Sequence, residues 1–301
     1  MERGPPLRVI RDIENIERSS IENVMDSVIV GDCRDVLSKL PDSSVDLVFL
    51  DPPYYLQLPK KDLKRWNQNN VVVAVRDEWD KFGSFEDYDR FIEDVLSEVR
   101  RVLKPKGTVW VISTYHSLHR IGKIMQDMGF WILNDVIWVK TNPMPNWLGV
   151  RFTNATETLL WALKDKDVKG YTFHRDRAKE FGVGKVGANI WVIPLCTGRE
   201  RLKNDDGARL HSTQKPAELL RRIVLTSTNE GDVILDPFAG TGTSGHVARE
   251  LGRNFIMVEA NPNYINGMVD RFTIRSTPGR KKEIREIEEA MAEEEAGEGR
   301  L

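Results

Sequence analysis

The amino-acid sequence predicts an α/β fold in which a mostly parallel sheet carries helices on both faces. The first reason is that short apolar segments alternate with amphipathic helical patterns along most of the 301 residues. The second is that the apolar segment 45–50 ends in Asp51-Pro52-Pro53-Tyr54, at the place where open α/β sheets bind ligands. The third is a strand, a glycine-rich turn and a helix near residue 240. This length suits one large α/β domain or two small ones.

Apolar segments and their boundaries define the elements in order. Residues 1–26 are polar, have a weak helical pattern and form an N-terminal extension. Strands are then predicted at residues 27–31, 45–50, 108–113, 130–140, 157–163, 233–235 and 254–258. Helices are predicted at residues 34–40, 85–103, 116–128 and 216–228, after the glycine-rich turn to about 251, and at about 262–273.

Local stop signals support the helix boundaries. Lys104-Pro105-Lys106-Gly107 ends the helix that begins at Phe85, Gly129 ends the next one, and Gly252 is a candidate C-cap. An acidic tail follows at residues 274–301, in which residues 281–301 hold eight Glu against four Lys or Arg.

Two long irregular stretches, residues 55–84 and 165–210, interrupt the alternation of strands and helices. Loops of that length in a compact domain usually have a function or lack fixed structure. The whole chain has a net charge of −2, but residues 164–203 carry ten Lys or Arg against five Asp or Glu. A local basic excess suits a surface that binds phosphate, and a solvated lysine-rich loop explains the charge equally well. Both stretches also contain aromatic residues, which makes them candidates for DNA-contacting and base-reading segments. Local core packing is the alternative explanation for these aromatic residues.

Composition argues against several classes of protein. No apolar run is long enough to span a membrane, and we expect no signal peptide. The two cysteines, Cys33 and Cys196, lack metal-ligand spacing and are interpreted as reduced thiols, and the five histidines show no zinc pattern. We therefore expect a cytoplasmic protein with no membrane partner and no metal site.

The turn Asp51–Tyr54 carries the groups needed for methyl transfer to the amino group of a planar base. Such an amine is a poor nucleophile because its lone pair is delocalised into the ring. The Asp51 carboxylate and the Pro52 carbonyl can accept its two N–H bonds and so direct the lone pair, and Tyr54 can stack on the base. The rings of Pro52 and Pro53 stiffen the turn. A plain strand-ending turn is the alternative, since Asp and Pro are common in turns.

A second group of residues, 233–259, has the layout of a nucleoside-cofactor site. The strand leads into Asp236-Pro237-Phe238-Ala239-Gly240-Thr241-Gly242-Thr243-Ser244 and a helix, and Glu259 ends the next strand. The glycines allow the backbone to approach a ligand closely, and Glu259 is placed to accept hydrogen bonds from two ribose hydroxyls. A structural turn is the alternative. The segment has no G-K-[ST] sequence, so a phosphate-binding P-loop is disfavoured.

Residues 212–216, Ser-Thr-Gln-Lys-Pro, precede this unit. Lys215 is a candidate partner for the carboxylate of the cofactor's amino-acid part. An exposed lysine at the start of a helix is the alternative.

With both groups of residues present, the chain resembles β-class DNA amino-methyltransferases, in which the D-P-P-Y motif precedes the D-P-F-x-G-x-G motif. The resemblance covers roughly residues 27–273. Its most specific part is a similarity to the cell-cycle-regulated adenine methyltransferases and to related restriction-modification enzymes that modify GANTC. This similarity lies in the segments Leu56–Leu58, Trp110–His116, Gly129–Asp135, Asn142–Asn146 and Pro194–Gly198.

The resemblance implies a Rossmann-like, S-adenosylmethionine-dependent methyltransferase fold over residues 27–273, with a seven-stranded, mostly parallel sheet and a permuted motif order. Strands 27–31 and 45–50 are then expected beside strands 233–235 and 254–258. The implied reaction is N6 methylation of a flipped adenine in double-stranded DNA, in a prokaryotic, nucleoid-associated protein. A homodimer and a cognate restriction endonuclease are the further partners that the family suggests.

The resemblance also assigns residues to roles. Asp51, Pro52, Pro53 and Tyr54 form the catalytic turn, in which Asp51, Pro52 and Tyr54 hold the base. The expected cofactor-binding residues are Asp32, Asp51, Thr213, Lys215, Asp236, Phe238, Gly240, Gly242, Thr243 and Glu259. Residues 55–84 are expected to contact DNA, and residues 140–210 to recognise the target sequence.

One position departs from the family pattern. Family members often have Asn after the D-P-P-Y motif, whereas this chain has Tyr55, which we expect to alter the loop beside the flipped base. Three alternative functions stay open: an N4-cytosine methyltransferase that uses the same amine geometry, a methyltransferase acting on RNA or a protein amide, and a DNA-binding protein with an inactive methyltransferase fold.

Overall fold

A sheet with helices on both faces forms the centre of the fold. The structure is a computed structural model that describes residues 5–16, 18, 20–57, 63–64, 71–72, 78–146, 149–184, 187–204 and 207–273. Much of the predicted DNA-contacting loop, at residues 58–62, 65–70 and 73–77, and the predicted acidic tail, 274–301, lie outside the described residues.

The strands and helices follow the predicted order closely. The strands are β1 (Arg8–Ile10), β2 (Ser27–Val30), β3 (Val45–Leu50), β4 (Leu63–Lys64), β5 (Val71–Val72), β6 (Leu103–Ser113), β7 (Trp131–Val139), β8 (Thr156–Leu163), β9 (Ile190–Val192), β10 (Val233–Asp236) and β11 (Asn254–Glu259). The helices are α1 (Cys33–Lys39), α2 (Phe85–Val102), α3 (Leu118–Asp127), α4 (Arg175–Phe181), α5 (Ala217–Ser227), α6 (Thr243–Glu250) and α7 (Pro262–Thr273).

Within the described residues the main sheet has nine strands in the order β1-β2-β11-β10-β3-β6-β8-β7-β9. Neighbouring strands are parallel, except that β8 runs antiparallel to both β6 and β7. The predicted permutation is confirmed, because β10 pairs with β3 and β11 pairs with β2. The C-terminal strands β11 and β10 therefore lie together between the N-terminal strands β2 and β3 in the middle of the sheet.

Two three-residue strands at the edges raise the strand count above the predicted seven. Strand β1 lies where the sequence showed a weak helical pattern, and it pairs in parallel with β2. Strand β9 lies in a stretch predicted to be irregular, and it pairs in parallel with β7. Strands this short have no periodicity of their own and depend on the neighbouring strand for their hydrogen bonds.

Both faces of the sheet are buried along its central strands, as parallel sheets require. On β3, Val48 and Leu50 pack towards α1, α2 and α3, whereas Leu47 and Phe49 pack towards α5, α6 and α7. This alternation explains why β3 reads as an almost continuous apolar run. Among the described helices, none is long and apolar enough to cross a membrane.

Candidate active site

The carboxyl ends of β3 and β10 lie side by side and open into a cavity of about 690 Å³. The permuted sheet thus brings the Asp51–Tyr54 turn and the glycine-rich loop to the same edge. Most of the predicted site residues line this cavity, namely Asp32, Asp51, Pro52, Pro53, Tyr54, Thr213, Lys215, Asp236, Phe238, Gly240, Thr243 and Glu259.

Gly242 is the predicted site residue that the structure places outside the cavity lining. It precedes α6 with a φ of 71°, in the left-handed region that favours glycine. A Cβ at this position would come within 3.0 Å of Met268 Cγ. The second glycine of the motif therefore serves the turn and its packing against α7.

Buried hydrogen bonds fix the glycine-rich loop. Asp236, 3% exposed, accepts from the Phe238 N–H at 3.0 Å and from the Ser244 hydroxyl. Glu259 accepts from the N–H groups of Gly240 and Asn261 at 2.8 and 2.7 Å. Burial raises the pKa of each carboxyl group to about 7, against the opposing effect of these hydrogen bonds. The two carboxylates therefore hold the loop in shape.

At the catalytic turn, both carboxylate oxygens of Asp51 already have partners. Lys215 Nζ lies 2.7 Å from Asp51 Oδ2, and the Tyr54 hydroxyl donates to Asp51 Oδ1 at 3.0 Å. Burial is the main cause that raises the pKa of Asp51, and Lys215 opposes it. Lys215 itself is 7% exposed and is thus a buried cation rather than an exposed helix-start lysine.

A hydrogen bond from outside the turn supports its stiffness. The Tyr88 hydroxyl on α2 donates to the Pro53 carbonyl at 2.9 Å. Because prolines fix two successive φ angles, this contact anchors a segment that has little freedom of its own.

The cavity and the Asp51–Tyr54 turn lie where the permuted strand order brings β3 beside β10. The family model described as DNA methylase matches residues 45–270. The chain belongs to the DNA methylase family. The predicted family, the Rossmann-like methyltransferase fold and the enzyme class, a DNA methyltransferase, are thereby confirmed.

Three similar proteins show how far this likeness extends. The Type II methyltransferase M.HinfI of Haemophilus influenzae is 46% identical over 249 residues, covering 83% of this chain and 68% of that protein. The Type II methyltransferase M2.DpnII of Streptococcus pneumoniae is 41% identical over 239 residues, covering 79% of this chain and 86% of that protein. A solved structure of a putative DNA modification methylase from Thermus thermophilus, complexed with S-adenosyl-L-methionine, is 28% identical with a TM-score of 0.53, covering 81% of this chain and 93% of that one.

A buried ion pair that lies next to Asp51 in the methylase was not predicted from its sequence. Glu157, on β8, pairs with Lys140 at 2.9 Å, and these residues are 9% and 8% exposed. Glu157 Oε2 lies 3.0 Å from the Tyr54 hydroxyl, whose single proton it shares with Asp51 Oδ1 as a second acceptor, and 3.9 Å from Lys215 Nζ. The available signal was an acid at the start of an otherwise apolar strand, which is ambiguous in sequence.

An aromatic wall of the methylase cavity was also missed. The His211 ring stacks on Trp79 at 5.9 Å and contacts Tyr264 at 4.5 Å between centroids. Burial, with a smaller effect from nearby cations, lowers the pKa of His211 to about 3. The ring is therefore neutral, and its Nδ1 accepts from the Thr213 N–H at 3.1 Å.

Asp32 and Thr243, two further predicted site residues, also have hydrogen-bond partners within the protein. The Asp32 carboxylate caps α1 by accepting from the Arg34 N–H, and it pairs with the Arg34 guanidinium at 2.9 Å. The Thr243 hydroxyl donates to the Lys215 carbonyl at 3.3 Å and accepts from Arg271 at 2.9 Å. Thr243 therefore connects the glycine-rich loop to the segment that carries Lys215.

Tyr55, the departure from the family pattern, does not line the cavity of the methylase. Its ring packs among Phe82, Phe85 and Tyr88, with centroid distances of 5.1–5.9 Å. The backbone N–H of Tyr55 donates to Asp80 Oδ1 at 2.6 Å, and that of the next residue donates to Asp80 Oδ2 at 2.8 Å. The side chain thus holds the start of the loop against α2.

The predicted target-recognition region, 140–210, is divided between two edges of the sheet. Because β8 runs antiparallel, residues 164–174 start at the edge opposite the cavity, where the His174 N–H donates to the Thr226 carbonyl at the end of α5. The chain then returns along β9 towards the cavity edge. Much of the predicted basic excess, from Lys164 to Lys179, therefore lies away from the catalytic turn.

Proposed function

We propose that the chain methylates N6 of a flipped adenine in double-stranded DNA, with S-adenosylmethionine as the methyl donor. The observation that carries this proposal is that Asp51, in the D-P-P-Y turn, and the glycine-rich loop line one cavity. The resemblance of several segments to GANTC adenine methyltransferases favours adenine over cytosine.

The cavity residues fit S-adenosylmethionine. Gly240 has no side chain, so the backbone of the turn is open to the cavity at this position. A Cβ there would lie 3.3 Å from His211 Nε2. Glu259 and Asp32 offer carboxylates suited to hydroxyl groups, and Phe238 and Tyr264 offer apolar rings. When bound, the cofactor supplies an electrophilic methyl group on a sulfonium sulfur. Lys215 lines the same cavity but pairs with Asp51 Oδ2 at 2.7 Å, so a contact with the cofactor's own carboxylate would have to share this ammonium group.

The catalytic turn acts by holding and aiming the amine. The Asp51 carboxylate and the Pro52 carbonyl accept the two N–H bonds of the base, so that the nitrogen lone pair points at the methyl group. Ideal alignment of this kind contributes up to about 7–11 kcal/mol. Asp51 has no need to be a strong base, because the amine becomes acidic only after it is methylated. Flipping the base costs a few kcal/mol, which DNA contacts must offset.

Residues 55–84 are proposed to contact DNA, and residues 140–210 are proposed to recognise the target sequence. Near the cavity, the latter region contains the exposed side chains of Met144, Arg151 and Phe152. A homodimer, a cognate restriction endonuclease and a nucleoid-associated place in a prokaryotic cytoplasm remain proposals that the family suggests. Light scattering of the purified protein tests the dimer.

The test is to express the protein in a host that lacks modified bases and to sequence its DNA by a method that separates N6-methyladenine from N4-methylcytosine. We expect N6-methyladenine at one short sequence. Detection of N4-methylcytosine would show that the protein is an N4-cytosine methyltransferase, and the absence of any modified base would contradict the proposal.

The substitution Asp51→Ala tests the role of the carboxylate. We expect turnover to fall by about 100-fold or more, because the amine is no longer held in line, while calorimetry still shows S-adenosylmethionine binding. The exposed pair Lys123–Asp127 lies on α3, and Asp127→Asn serves as a control with unchanged turnover. Full activity of Asp51→Ala would overturn the assignment.

A further inference from the structure

The Asp51 carboxylate belongs to a cluster of four charged side chains and one hydroxyl, of which the other three charges are buried. Asp51, Glu157, Lys140 and Lys215 form two ion pairs, with Lys–carboxylate distances of 2.9 and 2.7 Å. Burying such charges is expensive and seldom improves stability over apolar packing. A cluster of this kind at the end of the catalytic strand therefore calls for an explanation in terms of function.

Asp51 is fully engaged before any base arrives. Its Oδ2 pairs with Lys215 and its Oδ1 accepts from the Tyr54 hydroxyl. The proposed reaction requires this carboxylate to accept an N–H from the base, so at least one of these contacts must be given up. A cation or hydroxyl released inside a buried site needs another partner, because an unpaired buried polar group is costly.

Glu157 is that second partner for both groups. The same oxygen, Oε2, lies 3.0 Å from the Tyr54 hydroxyl and 3.9 Å from Lys215 Nζ. Its other oxygen, Oε1, pairs with Lys140 at 2.9 Å. Glu157 therefore lies next to both donors that hold Asp51, and the Lys140 ammonium balances its negative charge.

We propose that Glu157 is a positioning residue, which receives the Tyr54 hydrogen bond and the Lys215 ammonium when Asp51 turns to the amine of the base. The hydroxyl proton stays on Tyr54 throughout, so only hydrogen bonds are exchanged. Lys140 balances the charge of Glu157 and so prevents it from drawing Lys215 away permanently. The inference rests on the proposed function.

Charge balance makes the proposal testable with two substitutions. Glu157→Gln leaves a surplus lysine, which holds Asp51 more tightly. Lys140→Gln leaves a surplus carboxylate, which competes with Asp51 for Lys215. The double variant has one lysine and one carboxylate and is neutral again. We therefore expect the two effects to be non-additive, as for residues in one network.

The pH dependence of turnover separates this role from a structural one. The titratable groups that act on Asp51 are Tyr54, Lys215, Glu157 and Asp236. Burial is the main cause that raises the pKa of Asp51, and the charge of Glu157 raises it further. Removing that charge lowers the pKa of Asp51. Because Asp51 must be ionised to accept the amine, the acid limb of turnover is expected to move to lower pH in Glu157→Gln.

The experiment measures single-turnover methylation of a duplex oligonucleotide at saturating S-adenosylmethionine, for the wild type and the three variants. Each single variant should lose about 10- to 100-fold in rate, with the cofactor Kd from calorimetry within about twofold of wild type. The double variant should recover at least about fivefold over Lys140→Gln. Asp46→Asn is the control, because Asp46 lies on β3, which leads into Asp51, and its partner, Lys104 at 2.7 Å, is outside the Asp51 cluster.

Three results would overturn the inference: a Glu157→Gln rate equal to wild type, an acid limb that does not move, or additive losses in the double variant. A failure of the proposed function appears differently, as a wild-type enzyme that methylates no adenine. Thermal melting of each variant identifies any that does not fold, and Lys140→Met then replaces Lys140→Gln.

Discussion

Tyr55 shows how a residue that departs from the family pattern is accommodated. Its φ of 49° lies in the left-handed region, which costs most residues about 1–2 kcal/mol and which Asn tolerates better. The structure offsets this cost by packing the ring among Phe82, Phe85 and Tyr88. Tyr55 therefore anchors the start of the loop on α2 and adds no side chain to the cavity.

Glu259 gives the ligand-free protein a pH dependence of known sign. Burial raises its pKa to about 7, so the folded protein keeps a proton that the unfolded chain has released. This stabilising effect is complete at low pH and is lost as the pH rises through about 7. We expect the melting temperature to fall between pH 5.5 and pH 8, and to fall by about 2–4 °C less in Glu259→Gln.

The measurement is a thermal melt of both proteins at the two pH values without ligand. Burial also raises the pKa of Asp236 to about 7, so the variant should retain part of the dependence. A wild type that becomes more stable relative to Glu259→Gln as the pH rises would contradict the assignment.

At the scale of elements, the seven longer strands were predictable because each contains an apolar run, which in all of them except β7 reflects burial on both faces. Strands β1 and β9 were not, because three residues carry no pattern and only the adjacent strand defines them. Helix α4 was missed for a related reason, since none of its residues is buried. The D-P-P-Y turn was predictable because stiffness and polarity are local properties of its residues.

The packing of α6 on β11 depends on a glycine within the helix. A Cβ on Gly245 would come within 2.6 Å of Met257 Sδ and 2.8 Å of Phe255 Cδ2, both on β11. Gly245→Ala is expected to lower the free energy of unfolding by about 1–3 kcal/mol, because a packed core resists an added methyl group. Chemical denaturation measures this change.

Gly122, within α3, is the matched control. A Cβ there would meet Leu160 Cδ1 at 3.5 Å, an ordinary contact. Gly122→Ala should therefore raise the free energy of unfolding by up to about 1 kcal/mol, since alanine favours helix more than glycine does. Equal effects at the two positions would show that packing on β11 is not the cause.

For the whole molecule, the site joins residues that are far apart in the sequence. The pairing of Lys215 with Asp51, across 164 positions, follows from β10 lying beside β3. The sequence predicts that Lys215 meets the carboxylate of the cofactor. No local pattern in the sequence indicates that the Asp51 carboxylate lies beside this lysine. Glu157 and His211 were missed because each lies in a segment whose local pattern is ordinary.

The permuted order also brings the two ends of the described fold together. Arg249 donates to the Pro5 carbonyl at 2.7 Å and lies 4.5 Å from the Phe272 ring centroid. A circular permutant that joins residue 273 to residue 5 by a flexible linker and opens between Gly207 and Ala208 should fold. It should bind S-adenosylmethionine with a Kd within about tenfold of wild type, since exposed turns tolerate new ends.

Circular dichroism and calorimetry test the permutant. Opening the chain between Leu235 and Asp236, inside β10, is the control and should abolish folding. A folded permutant that binds no cofactor would show that continuity between α5 and the preceding loop is essential to the site.

The loop between β7 and β8 is closed by the catalytic cluster itself. Lys140 is its first residue and pairs at 2.9 Å with Glu157, the second residue of β8, and the Lys140 N–H also donates to the carbonyl of the loop's last residue, Ala155, at 2.8 Å. Phe152, 98% exposed, lies five positions before Glu157 on this loop. Under the proposed target recognition by residues 140–210, DNA bound at this ring is therefore connected to the partner of Tyr54 and Lys215 by a short length of chain. Incorrect DNA sequences would then be rejected in the rate of methyl transfer, beyond any difference in affinity.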